Sequence, residues 1–159
     1  MEVPPRHAWF AGAWACSTIF FIFFMPAMIS SAFAQSPWPV EIKSVMLADP
    51  AGFPLADCRS AGKLAMIAVT LTNLSDSIQP AAVLVELRDS GGTTQFLQWQ
   101  TMSIGPRATQ QMATSFEPSS LPPSGQYDAK VFVWDNVLTP APLSSPMQVP
   151  ISCQVPAAG

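Results

Sequence analysis

Two stretches of the chain alternate apolar residues with others at a strict period of two. Ala65, Ile67, Val69 and Leu71 do so before Asn73. Ala81, Val83, Val85 and Leu87 do so again after a turn over residues 74–79. Successive side chains of an extended strand point to opposite faces, so this spacing buries one face of each strand and leaves the other accessible. A helix would need apolar residues three and four positions apart, and no segment beyond residue 34 shows that period. The 17 prolines act in the same direction, because each removes a backbone donor and breaks a helix interior.

The remaining segments read the same way. A first strand is predicted over residues 40–48, with a switch of apolar phase from Val40 and Ile42 to Val45 and Leu47 that implies a bulge near Ser44. Residues 49–63 form a long loop carrying Cys58. Asp89-Ser90-Gly91-Gly92 is a hairpin turn leading to a fourth strand over residues 93–101, with Leu97 and Trp99 on one face. Gly105-Pro106 breaks the chain. Met112, Thr114 and Phe116 mark a fifth strand, and Tyr127, Ala129, Val131 and Val133 a sixth. Met147, Val149, Ile151 and Cys153 mark a seventh, which Pro146 and Pro150 confine to a sheet edge. Seven short strands predict an all-β fold, a two-sheet sandwich over residues 40–155 with a lead-in at 35–39 and a tail at 156–159.

The N-terminus predicts the compartment. Arg6 and His7 precede an apolar run over residues 8–29, and Ala32-Phe33-Ala34 is a small-x-small cleavage signal. Residues 1–34 are therefore predicted to be a secretory signal peptide cleaved after Ala34. The alternative is an uncleaved membrane anchor, since the run is long enough to span a bilayer. Pro26 and the Ala-Phe-Ala signal favour cleavage. Cys16 follows a poor lipobox, and with it gone only Cys58 and Cys153 remain. Two cysteines in an oxidising compartment predict one disulfide, closing a separation of 95 residues. The alternative is two buried free thiols. A sandwich of this strand order brings the loop with Cys58 and the end of the seventh strand to the same pole, which favours the bridge.

Ser124-Gly125-Gln126-Tyr127-Asp128-Ala129-Lys130-Val131 resembles the tyrosine corner of Greek-key sandwiches, with Tyr127 near the start of its strand. Ala129 stands where antibody domains have cysteine. The longer segment through Phe132-Val133-Trp134-Asp135 and Thr139-Pro140-Ala141-Pro142-Leu143-Ser144 is similar to an immunoglobulin-like or fibronectin type III-like module of archaeal and bacterial envelope proteins. Val69-Thr70-Leu71-Thr72-Asn73 and Leu97-Gln98-Trp99 fit the same pattern. The resemblance implies a seven-stranded Greek-key immunoglobulin-like sandwich and an extracytoplasmic location. It carries no catalytic residues, and modules of this kind mediate adhesion or protein contacts.

Composition narrows the chemistry. The single histidine is His7, in the leader, so Ser–His and Cys–His catalysis, histidine zinc sites and blue copper are all excluded from the domain. The formal charge is -3 with no basic run, which argues against nucleic acid. The carboxylates sit at turns and polar strand faces, and none pairs recognisably for glycoside hydrolysis. Asp135-Asn136 reads as an Asx turn rather than a calcium site. Met46, Met66, Met102, Met112 and Met147 are scattered and read as packing residues rather than copper ligands. Asn73-Leu74-Ser75 is a glycosylation sequon on a predicted turn. The expectation is a non-enzymatic protein with no metal and no cofactor.

One strand face remains as the candidate site. If Tyr127, Ala129, Val131 and Val133 point inward, then Asp128, Lys130, Phe132 and Trp134 point outward. The third strand would add Leu84, Glu86 and Arg88 to that face. Aromatic and arginine anchors with a polar rim are an interface composition. The competing expectation is that residues 138–146 fold over the aromatics. The predicted function is a secreted binding or structural module of the cell envelope, with an envelope or extracellular protein as partner. The membrane is a partner only if the leader stays uncleaved. The alternative is a periplasmic small-ligand or metal-delivery protein.

Overall fold

A computed structural model describes residues 38–122 and 125–154. The predicted signal peptide, Ser124 and the tail lie outside the described residues. Seven strands are present: β1 (Val40–Ala48), β2 (Ala65–Asn73), β3 (Gln79–Asp89), β4 (Thr94–Ile104), β5 (Thr109–Phe116), β6 (Gln126–Trp134) and β7 (Met147–Ser152). Two single 3-10 turns, Cys58–Ala61 and Pro118–Ser120, complete the regular structure of the described residues.

The strands form two antiparallel sheets that pack as a sandwich. One has the order β1-β2-β5, the other β4-β3-β6-β7. The alternating residues of β2 meet those of β3 and β6 between the layers. Ile67, Val69 and Leu71 from one sheet and Val83, Val85, Leu87, Val131 and Val133 from the other are fully or almost fully buried there. The register of β1 against β2 shifts between Ile42 and Ser44, so the phase switch in the sequence is a bulge. β7 lies at a sheet edge, where Pro150 costs no ladder hydrogen bond.

Three strands run longer than their periodicity indicates. β3 extends to Gln79 and Asp89, β4 to Ile104, and β5 begins at Thr109. Their added residues include Gln, Thr and Pro at the ends of ladders, where strand pairing rather than apolar phase holds the backbone. The β3–β4 hairpin turns at Gly92 with φ 80°, a conformation that glycine adopts without steric cost. The β4–β5 turn instead puts Arg107 at φ 53°. Its N–H donates to Ser75 O at 3.1 Å and its guanidinium pairs with Asp76 at 2.8 Å.

Candidate interaction face and its pole

β6 separates its residues cleanly by side. Tyr127, Ala129, Val131 and Val133 are buried in the core, and Asp128, Lys130, Phe132 and Trp134 stand half-exposed on the outer face. Strand register then builds rows across the sheet. Trp99, Leu84 and Phe132 form one row, because Leu84 pairs with both of the others. Leu97, Glu86, Lys130 and Gln148 form the next. Thr101, Ala82 and Trp134 lie on the other side of the first row. The Phe132 and Trp134 rings are 5.8 Å apart, and Lys130 Nζ sits 5.1 Å from the centre of the Phe132 ring.

Two of the expected interface residues are not open. Leu84 is 8% and Glu86 6% exposed. Both lie on a middle strand, and their cross-strand neighbours on β4 and β6 shield them. Arg88 is exposed as expected, and the open large apolar residues of this face are Leu97 and Trp99, 58% and 51% exposed, on β4. Their alternation was visible in the sequence, but periodicity does not say which face of a sheet is outside. Glu86 accepts from Arg88 Nε at 2.8 Å and from the Thr94 hydroxyl. Burial pushes its carboxyl up, but the Arg88 and Thr94 hydrogen bonds and the charges of Arg88 and Lys130 outweigh this and hold it below the ordinary range.

Residues 138–146 do not roof this face. Asp135 N–H donates to Ala141 O at 3.0 Å and Leu143 N–H to Val133 O at 2.8 Å, so the segment runs beside β6 in the plane of the sheet. Leu143 turns into the core and Leu138 is fully open.

The pole beneath the sheet is tied more densely. Cys58 and Cys153 form a disulfide with Cα atoms 4.9 Å apart. Tyr127 donates its hydroxyl to Pro122 O at 3.1 Å. A Cβ on Gly125 would lie 3.0 Å from the Tyr127 ring, so a larger residue there would have to push the ring aside by a few tenths of an ångström. Arg59 donates to Pro122 O at 3.0 Å and Cys153 O at 3.3 Å. Asp57 accepts from the Ser152 hydroxyl at 2.7 Å and Gln154 N–H at 2.8 Å. Burial pushes the Asp57 carboxyl up, but these bonds, Arg59 N–H and the Arg59 charge hold it below the usual carboxylate range. Asp57 and Arg59 gave no signal in the sequence, because their partners lie far along the chain.

Other candidates resolve into structure. Asn73 is completely buried, and its amide donates to Ser77 O, Ile104 O and Gly105 O at 2.7–3.1 Å. A glycan has no access to that nitrogen in the folded domain. Asp135 accepts from Asn136 N–H and Ala141 N–H, which makes it a turn residue. Among the described residues, no three His, Cys, Asp or Glu side chains converge as a metal site requires. A cleft of about 330 Å³ lies between β1 and β7, lined by Trp38, Ile42 and Met147 among others. Ser144, in its wall, keeps a buried hydroxyl without a partner among the described residues. No described helix is long and apolar enough to cross a membrane.

No protein-family model matches the chain, and no curated protein matches it. Solved structures do. The chain is similar to the C-terminal domain of Wzt, with a TM-score of 0.53 and 9% identity over 79% of this chain and 86% of that one. It is also similar to a glycosyl hydrolase family 2 member from Bacteroides cellulosilyticus DSM 14838, with a TM-score of 0.53 and 10% identity over 72% of this chain. It spans only 15% of that hydrolase, and 11% of a glycoside hydrolase family 2 β-glucuronidase matched at a TM-score of 0.47. At these identities the likeness shows fold alone, and this chain is an all-β domain of two antiparallel sheets similar in fold to such β-rich domains.

Proposed function

We propose that residues 35–159 are a secreted, non-enzymatic binding or structural module of the cell envelope, released from a signal peptide at residues 1–34. It holds an envelope or extracellular protein through the outer face of the four-stranded sheet. The observation that carries this reading is the row Trp99, Leu84 and Phe132, continued by Trp134 and bordered by Arg88 and Lys130. Aromatic anchors with a charged rim are what protein interfaces concentrate. The disulfide supports an oxidising, extracytoplasmic location. The strand order and the Tyr127–Pro122 bond support a Greek-key immunoglobulin-like sandwich with a tyrosine corner.

Crosslinking capture from native envelope tests the reading, with wild type set against Trp99→Ala/Phe132→Ala. The expected result is a partner held by wild type and lost with the folded variant. Retention by that variant, or no specific partner for wild type, overturns it. The intact mass of the recovered protein, with or without residues 1–34, separates the released form from an anchored one. A second reading, a small-ligand carrier, is favoured by the cleft at Ser144. Native mass spectrometry checks it, since a carrier retains its small molecule.

A further inference from the structure

The sheet edges of this sandwich are not equivalent. β1 carries Glu41 and Lys43, ion-paired at 2.6 Å, and its bulge follows Ile42. β7 contains Pro150 and follows directly on Pro146. Charges, bulges and prolines all keep an edge from pairing with another chain. β5 is uncharged, but Gln100 Nε2 reaches across from β4 to Ala113 O at 3.4 Å. β4 has 11 residues and contains no proline, glycine or charge. Its irregularity against β3 falls at Gln95, between the Leu87–Phe96 and Arg88–Thr94 pairs, and the ladder is regular from Phe96 to Ile104. It also carries Leu97 and Trp99, both more than half exposed.

We propose that two copies of this chain pair antiparallel along β4 about a twofold axis at Gln98, joining their four-stranded sheets into one of eight strands. In that register Leu97 of each copy lies opposite Trp99 of the other, so the dimer gains two symmetric Leu97–Trp99 cross-strand pairs. Outer face continues into outer face, because directly paired residues project to the same side. The absence of charge along this edge favours a second copy, which is equally neutral there. Residues 94–116 contain one charged residue, Arg107, and Asp76 holds it at 2.8 Å in the turn. In a chain of net charge -3, this neutral strip is where two copies meet without repulsion. It offers an acidic or basic partner no recognition charge. A single strand pair buries less area than a standard interface, so the dimer is reversible.

Trp99 is common to this edge and to the proposed partner face, but self-association of the purified chain is read without that partner, so either can fail alone. Sedimentation equilibrium is run on the protein as recovered from the expressing cell, with the fold of each variant checked by circular dichroism. Wild type is expected to double in mass as concentration rises. Leu97→Lys/Trp99→Lys sets like charges opposite each other and is expected to stay monomeric. Leu97→Glu/Trp99→Lys sets opposite charges there and is expected to dimerise again. A wild type that remains monomeric up to its solubility limit overturns the proposal. So does a dimer that survives in Leu97→Lys/Trp99→Lys, or one that Leu97→Glu/Trp99→Lys fails to restore.

Discussion

Asn73 does the work of several loop residues at once. Its amide group holds Ser77 O, Ile104 O and Gly105 O, while its Oδ1 accepts from Ser75 N–H and hydroxyl at 2.8 Å. Removing it takes that donor from the buried Ile104 O and the part-buried Gly105 O, while Ser77 O keeps the Ser75 hydroxyl at 3.1 Å. We expect Asn73→Ala to lose about 3 kcal/mol in urea unfolding, with the melting temperature roughly 10 °C lower. Unchanged melting would show that water replaces the amide. Tyr127 is a milder case. Pro122 O also receives Arg59 Nη2, so it keeps one donor when the Tyr127 hydroxyl is removed. Tyr127→Phe is expected to lose about 1 kcal/mol, read from the same urea transitions. Burial holds the Tyr127 phenol above its ordinary pKa, so it stays neutral and donating across the physiological range.

At the scale of elements, the 3-10 turn Cys58–Ala61 is latched to the end of β7 by a carboxylate. Asp57 accepts from Arg59 N–H on one oxygen and from the Ser152 hydroxyl and Gln154 N–H on the other, and ionisation strengthens all three bonds. Its folded pKa lies below the ordinary value of 3.8. The stabilisation is therefore complete above that value and fades as pH falls through the folded pKa. Glu86 behaves in the same sense on the outer face, below its ordinary value of 4.5. We expect urea midpoints to drop steeply below about pH 4 in wild type. Asp57→Asn should start from a lower midpoint at pH 7 and fall less over the acid range. Parallel acid profiles for the two proteins would show that Asp57 is not the latch. The same scale explains Leu84 and Glu86. A residue on a middle strand is covered by neighbours on both sides, so its exposure belongs to three strands rather than one.

For the whole molecule, the Cys58–Cys153 bridge joins positions separated by 95 residues. A loop of that length restricts the unfolded chain strongly, and the chain-entropy account assigns the bridge about 4 to 5 kcal/mol. We expect Cys58→Ala/Cys153→Ala to lose that amount in urea unfolding at pH 7 while keeping the strand signature in circular dichroism. A loss below about 1 kcal/mol would mean that Asp57, Arg59 and Tyr127 hold the pole without it. The bridge, these three residues and Gly125 gather at one end of the sandwich. The exposed aromatics lie apart from them on the sheet face, so a variant at Trp99 tests binding without loosening the pole.

Local residue patterns were enough to show that the chain builds strands, where β2, β3 and β6 run, that β1 carries a bulge and that the last strand lies at an edge. Each of these rests on local rules: side chains alternate along a strand, and proline has no N–H to donate. The sequence also identified the only cysteines available beyond residue 34, and the aromatic residues of β6 that share a face. Tertiary structure alone decided which residues of that face are open. Leu84 and Glu86 close because β4 and β6 flank them, and Leu97 and Trp99 open because β4 is the edge strand of its sheet among the described residues. It alone placed Asp57 and Arg59 beside residues 94–97 positions away. It also turned the Asn73 sequon into a buried clasp. Those outcomes depend on strand pairing between distant segments, and no period within one segment records its neighbours.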